Sequence, residues 1–572
     1  MLKREDRPFI VQSDSTVLLD ERHRDAEAAR QSLSRFADLT KRPGHVHTYR
    51  ITPLSLWNAA VAGMSADEVI GELGRYNCYE LPQKVTSHIR TLMGRYGQLK
   101  LIRGEDGLLR LRGEEKLMEQ LMAIPYLAGM LNESGDGERI ASPEMRGALK
   151  QELTRIGYPV IDLAGYRHGE SLNVQMREVT RGGKAFGLRD YQKRAVDMFY
   201  CEERMDGGSG VLVLPCGAGK TLIGIGALSR LHCDTLILTS NVTSVKQWRQ
   251  ELLDKTTLGD EHIGEYAGKA KEVKPVTIAT YQILTHRKQK TDEFEHMRLF
   301  NERNWGLIIY DEVHLLPAPV FRMTADLQAT RRLGLTATLV REDGRETDVF
   351  SLIGPKRYDM PWKALEEQRW IAEVTCSEIR LPLPDGERST YEEAAGVEKL
   401  RIAAENKAKT EAVSRLLERH RGKPALVIGQ YLRQLHEIGE RLNAPVLSGE
   451  LPHAERERLY AGFKSGDIPV LVVSKVANFA VDLPDAAVAI QVSGSYGSRQ
   501  EEAQRIGRIL RPKTGENAAW FYTLVTDGTK ETQFARRRQL FLLEQGYQYE
   551  VTKWEKPLLG TAGGELEGMG AN

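Results

Sequence analysis

What this 572-residue sequence lacks narrows its class first. Its five cysteines, Cys78, Cys201, Cys216, Cys233 and Cys376, form no C-x-x-C pair and are odd in number. That argues against a disulfide framework or a zinc ribbon and fits a reducing cytosol. No apolar run approaches the ~18 residues of a membrane span, and the opening MLKREDRPFIVQ has no leader-like apolar stretch. A cytoplasmic protein without a membrane partner is expected. Net charge is also nearly absent: 80 Lys and Arg face 79 Asp and Glu, for a formal +1. Any surface for a polyanion must therefore be local. With 41% hydrophobic and 28% charged residues the chain is globular, and at about 150 residues per domain it has room for three or four domains.

What is present is organised around VLVLPCGAGKT at 211–221. Residues 211–214 have the length and branched content of a buried strand. The run breaks at Pro215 into Gly217, Ala218 and Gly219, followed by Lys220, Thr221 and a helical segment to Leu228. A strand, a glycine turn and a helix N-terminus aim backbone N–H groups and the helix dipole at one point, which is a phosphate cradle. Lys220 would reach the terminal phosphates of ATP, and Thr221 would offer its hydroxyl to Mg²⁺. Leu214 stands where the full pattern has its first glycine, so the match is G-x-G-K-T.

Upstream, Thr52 and Pro53 read as an N-cap and first helical residue, and Ser65 with Glu68 as a capping box. A third helix is expected around 85–96. The strands GQLKLIR and GLLRLRG follow, around the turn at 104–107. Helices followed by a basic hairpin give residues 1–115 a winged-helix-like character; the other reading is an interaction domain with a solvated basic face. Residues 116–180 are expected to form a small α/β accessory domain.

From 181 to 376 strands and helices alternate, implying an α/β parallel sheet with helices on both faces. Strands are expected at 211–214, 235–239, 276–279, 306–310 and 333–337. Residues 377–405 read as polar and strand-poor. A second alternating block runs to 556, with strands near 424–428, 445–447, 469–473, 487–492 and 519–524. Two such blocks predict tandem RecA-like lobes with a cleft between them. The glycine-rich tail 557–572 reads as disordered.

ATP hydrolysis also needs a metal ligand and a residue that orients water. An apolar strand pattern ending at Tyr310 runs into Asp311, Glu312, Val313 and His314. Carboxylates at the C-terminal end of a parallel strand lie at the ligand edge of the sheet. Asp311 is the expected Mg²⁺ partner and Glu312 the water-positioning base. Thr336, Ala337 and Thr338 lie beyond another strand, where hydroxyls can link the site to lobe motion. In the second block, Arg508 and Arg511 share one helix face and can close onto a nucleotide. The Gln192 amide, after Leu188 and Arg189, suits the edge of an adenine. Trp248 and Tyr281 suit either base stacking or the core, and Arg536, Arg537 and Arg538 either phosphate contacts or a charged helix face. Pro384-Asp385 with Glu405-Asn406-Lys407 imitates a nuclease motif by chance.

These segments, in this order, resemble superfamily 2 helicases, and within them the bacterial members of the XPB family. The resemblance rests on LRDYQ at 188–192, PCGAGKT at 215–221, DEVH at 311–314 and Arg341-Glu342-Asp343. SKVANFAVDLPDA at 474–486 and GSRQEEAQRIGRILRPK at 497–513 add to it. It covers 186–556 and implies ATP-driven 3′→5′ helicase or translocase activity on single-stranded, duplex or forked DNA, in repair. It implies ATP binding by Arg189, Gln192 and 217–221, and catalysis by Asp311, Glu312, Gln504, Arg508 and Arg511. Coupling falls to His314, Thr336, Thr338 and Asp482, and action at the DNA fork to Arg341, Glu342 and Asp343. It also implies a damage-recognition-like domain near the N-terminus and a thumb-like insertion near 380–405. Ala477-Asn478 departs from the Gly-Asp of eukaryotic members. Two alternatives remain: a duplex translocase that separates no strands, and a nucleotide-gated scaffold that recruits a nuclease.

Overall fold

The computed structural model describes residues 7–41, 45–133, 138–201, 207–215, 217–287, 289, 294–328, 330–337, 345–474, 486–494, 509, 517–544, 547 and 549–554. The chain opens with a four-stranded antiparallel sheet, in spatial order Phe9–Val11, Thr16–Asp20, Val46–Arg50 and Asp38–Lys41. Thr52 caps the helix Pro53–Val61 by accepting from the Ser55 N–H, and Ser65 and Glu68 close a reciprocal box at the head of Ala66–Tyr76. These helices and Gln83–Arg95 bury Leu56, Leu73 and Ile89 with Phe9 and Leu19 of the sheet.

The basic hairpin Lys100–Arg103 and Leu109–Arg112 is not a wing on those helices. It is central to a five-stranded sheet completed by Asn132–Glu133, Arg139–Ala141 and Ile161–Asp162. Leu101, Leu109 and Leu111 share a separate core with Leu121, Leu149 and Leu153. Strands from both sides of residue 115 pair here, so the sheet runs across the boundary expected there. Alternating Leu and Arg in the hairpin defines one apolar face but not which module covers it.

The first lobe is an eight-stranded sheet. Its order is Ala270–Lys271, Ile263–Ala267, Val276–Thr280, Thr235–Thr239, Leu307–Asp311, Arg331–Thr336, Ser209–Val213 and Lys356–Asp359. All neighbours are parallel except the short first strand. The five expected strands are its centre, where both faces are buried and apolar residues predominate. Ile263–Ala267 and Lys356–Asp359 lie toward the margins and carry Gly, Glu, Lys and Arg, which hides them from an apolar search.

The second lobe is a seven-stranded parallel sheet, ordered Val446–Leu447, Val470–Val473, Ala425–Ile428, Val488–Gln491, Ala518–Thr526, Glu373–Leu381 and Tyr549–Lys553. Glu373–Leu381 corrects the strand-poor reading of 377–405, since its polar residues alternate with buried Val374, Cys376 and Ile379. Even Glu378 is buried there, accepting from Arg380 and Gln539. Two short helices, Asp385–Glu393 and Gly396–Ala404, follow. The helix Lys530–Glu544 is not uniformly solvated: Arg536 is exposed, but Arg538 is buried against Gly494. The two lobes are tandem RecA-like units. Among the described residues, no helix is long and apolar enough to cross a membrane.

Candidate nucleotide site

Register brings the chemistry together. Val213 pairs with Thr336, and Leu335 pairs with Asp311, so three parallel strands end side by side. The turn after Val213, the Thr336-Ala337 step and the Asp311-Glu312 pair therefore leave the sheet at one edge.

The turn depends on glycine. Gly217 and Gly219 have φ of +83° and +75°, the left-handed region that costs glycine nothing. A Cβ on Gly219 would lie 2.6 Å from Nε2 of Gln192. The helix Lys220–Leu231 begins directly after it, with Thr221 half-buried in its first turn.

Gln192 is buried behind this turn. Its Nε2 donates to the Ala218 carbonyl at 2.9 Å, and its Oε1 accepts from the Arg189 N–H at 2.9 Å. Tyr191 donates its hydroxyl to the same Ala218 carbonyl at 2.8 Å. Burial requires polar atoms to be paired, and the turn itself supplies the acceptor. The Arg189 guanidinium lies over the Trp370 ring, 4.2 Å from its centre.

Lys220 Nζ stands 3.7 Å from Oε1 of Glu312. Glu312 has φ +54° and ψ +55°, a strained conformation for a non-glycine residue that turns the chain sharply after the strand. His314 follows, buried, with Nδ1 2.7 Å from the Thr336 hydroxyl and 3.5 Å from Oε2 of Glu312. A polar line thus runs from Lys220 through Glu312 and His314 to Thr336.

Asp311 is the most perturbed acid of the edge. Burial pushes its carboxyl up to about 6, and neighbouring Glu312 adds to the shift, while the Trp248 indole N–H opposes it from 2.9 Å. The Tyr281 hydroxyl donates to the Asp311 backbone carbonyl at 3.0 Å. Trp248 and Tyr281 are both buried, so the structure settles them as core residues that hold the acid. The signal for this role was their position in segments following Thr239 and Thr280, whose strands end at the same edge. The adjacent carboxylates of Asp311 and Glu312 are hard oxygen donors of the kind Mg²⁺ takes.

Arg189, Gln192, Gly217, Ala218, Gly219, Lys220, Thr221, Asp311, Glu312, His314 and Thr336 are thus placed around one edge. Thr338, Arg341, Glu342, Asp343, Ala477, Asn478, Asp482, Gln504, Arg508, Arg511 and the tail 557–572 lie outside the described residues.

A phosphate cradle, an acid pair at the end of the second strand over and a second parallel lobe define a tandem-lobed P-loop protein. Residues 365–559 match the family profile described as ERCC3/RAD25/XPB C-terminal helicase. Residues 185–341 match the Type III restriction enzyme res subunit, and residues 9–135 a helicase conserved C-terminal domain. The chain is 51% identical over 553 residues to the DNA 3′-5′ helicase XPB of Kineococcus radiotolerans, covering 96% of each. It is 50% identical over 559 residues to the protein of that name from Mycobacterium tuberculosis, covering 97% of this chain and 100% of the relative. With the Saccharomyces cerevisiae general transcription and DNA repair factor IIH helicase/translocase subunit XPB/SSL2 it shares 30% over 612 residues, 95% of this chain and 72% of that one. The chain belongs to the XPB family of helicases.

Proposed function

We propose that this chain is an ATP-dependent 3′→5′ DNA helicase acting in DNA repair. The observation that carries the reading is the line Lys220–Glu312–His314–Thr336, which joins the phosphate cradle to a strand end that continues toward Arg341. Lys220 and the backbone of 217–221 bind the phosphates, and Thr221 and Asp311 hold Mg²⁺. The ion, when bound, neutralises charge on the phosphates. Glu312 positions the attacking water and takes its proton; loss of the Lys220 contact to a γ-phosphate frees it for that task. Arg508 and Arg511, with Gln504, approach the γ-phosphate from the second lobe, and Arg341, Glu342 and Asp343 act at the fork. His314 and Thr336 report the nucleotide state to that segment.

The S. cerevisiae relative's name reads helicase/translocase, and translocation on duplex DNA without strand separation is the second reading. Among the described residues, nothing favours a nuclease-recruiting scaffold. Steady-state ATP hydrolysis, alone and with single-stranded, duplex or forked DNA, tests the motor. DNA stimulation that vanishes in Lys220→Ala is expected, followed by strand displacement from a 3′ overhang. DNA binding without hydrolysis would overturn the motor reading, and hydrolysis without displacement would select the translocase.

A further inference from the structure

Three basic side chains and one acid are buried together where the five-stranded module meets the first lobe. Arg146 and Lys150 lie one turn apart on the helix Arg146–Arg155, and Arg332 lies on the adjoining lobe strand. Arg146 grips Asp162 through Nε and Nη2, the latter at 2.7 Å. Lys150 Nζ is 3.0 Å from Oδ2 of the same Asp162 and donates to Oε1 of Gln328 at 2.8 Å. Arg332 donates to the carbonyls of Leu352 and Gln328 at 2.7 and 2.8 Å. Arg146, Lys150 and Arg332 are 3%, 7% and 0% exposed. One carboxylate therefore stands among three buried cations, and carbonyl dipoles do not cancel a net charge.

A cavity of about 50 Å³ opens beside this cluster, lined among others by Lys150, Asp162, Tyr96, Arg357 and Ser209. At ~10–15 Å³ per water position it holds roughly four oxygens, the size of one tetrahedral oxyanion. Ser209 supplies an independent observation. It is 4% exposed, and its hydroxyl has no hydrogen-bond partner among the described residues. The Arg357 Nε donates to the Ser209 carbonyl at 3.1 Å, bringing a further cation to the wall. Ser209 begins the strand that ends at the phosphate turn, so the cavity lies a strand's length from the nucleotide edge.

We propose that this cavity binds a small inorganic oxyanion of the phosphate or sulfate class, held by Lys150 and the Ser209 hydroxyl. The anion offsets the excess buried charge and ties the five-stranded module to the first lobe. Burial and the two arginines push the Lys150 amine down to about 8, against the opposing pull of Asp162. The amine thus stays charged at neutral pH and shares its one carboxylate, Asp162, with Arg146.

The test uses the full chain carrying Lys220→Ala, which weakens the phosphate turn's own hold on anions. Thermal unfolding is followed as chloride is replaced by sulfate, then by inorganic phosphate, at constant ionic strength. A rise in Tm that grows with the logarithm of anion concentration is expected, with Ser209→Ala and Lys150→Gln each moving its onset to about tenfold higher concentration. Ser209→Ala removes one hydroxyl and keeps the packing, so the result does not depend on the lysine variant folding. A rise linear in anion concentration and of equal slope in all three proteins, as surface exclusion of sulfate gives, would overturn the proposal. So would the absence of a selenium peak in the cavity of selenate-soaked crystals.

Discussion

Trp248 donates its indole N–H to the Asp311 carboxylate across 2.9 Å, and its ring packs on Gly224, where a Cβ would lie 2.5 Å from Cη2. One side chain thus holds the acid and closes the contact between two helices. Trp248→Phe keeps the ring and removes the donor. Hydrogen bonds to charged groups are worth ~1.5–3 kcal/mol, so ATP turnover should fall roughly ten- to hundredfold. The Mg²⁺ concentration for half-maximal rate should rise, with the melting temperature little changed. Mg²⁺ titrations of the hydrolysis rate check this; unchanged turnover would remove Asp311 from the metal side of the site.

Gln192 and Tyr191 both donate to the Ala218 carbonyl, bracing the phosphate turn from behind. Gln192→Glu places a carboxylate oxygen where the donor was, facing a carbonyl oxygen. KM for ATP is expected to rise about tenfold, as loss of one or two hydrogen bonds at ~1 kcal/mol each implies, with kcat less affected. Unchanged nucleotide affinity in equilibrium binding would sink the bracing role.

The 2.7 Å contact between His314 and Thr336 links the acid loop to the next strand. Thr336→Val keeps the shape and removes the hydroxyl. Coupling through such a contact is worth ~0.5–2 kcal/mol. DNA stimulation of hydrolysis should drop by roughly two- to thirtyfold while DNA-independent hydrolysis is largely kept. Parallel measurements with and without forked DNA separate the two rates.

Lys150 makes stability pH-dependent with a defined sign. Its amine falls from the ordinary 10.5 to about 8 in the folded chain. Below pH 8 both states carry the proton; between 8 and 10.5 only the unfolded chain does, so folding gains stability as pH rises through that window. Wild type should therefore gain on Lys150→Met between pH 8 and 10 in urea unfolding. Saturating sulfate, by holding the amine charged, should flatten the gain.

The sequence by itself determined what is local. A glycine turn needs positive φ wherever it sits, so 215–221 was legible, as were the caps at Thr52 and Ser65. Predominantly apolar strands reveal themselves because both their faces are buried, which made the lobe centres and the strand ending at Asp311 legible. Tertiary structure alone decided which distant groups meet. It turned Gln192 onto Ala218, seated Trp248 on Asp311, built the 100–112 hairpin into the five-stranded sheet and buried Arg538 while Arg536 stayed exposed. The physical reason is that a polar atom removed from water takes whichever partner the register and packing bring within reach, and that partner lies tens of residues away in the chain.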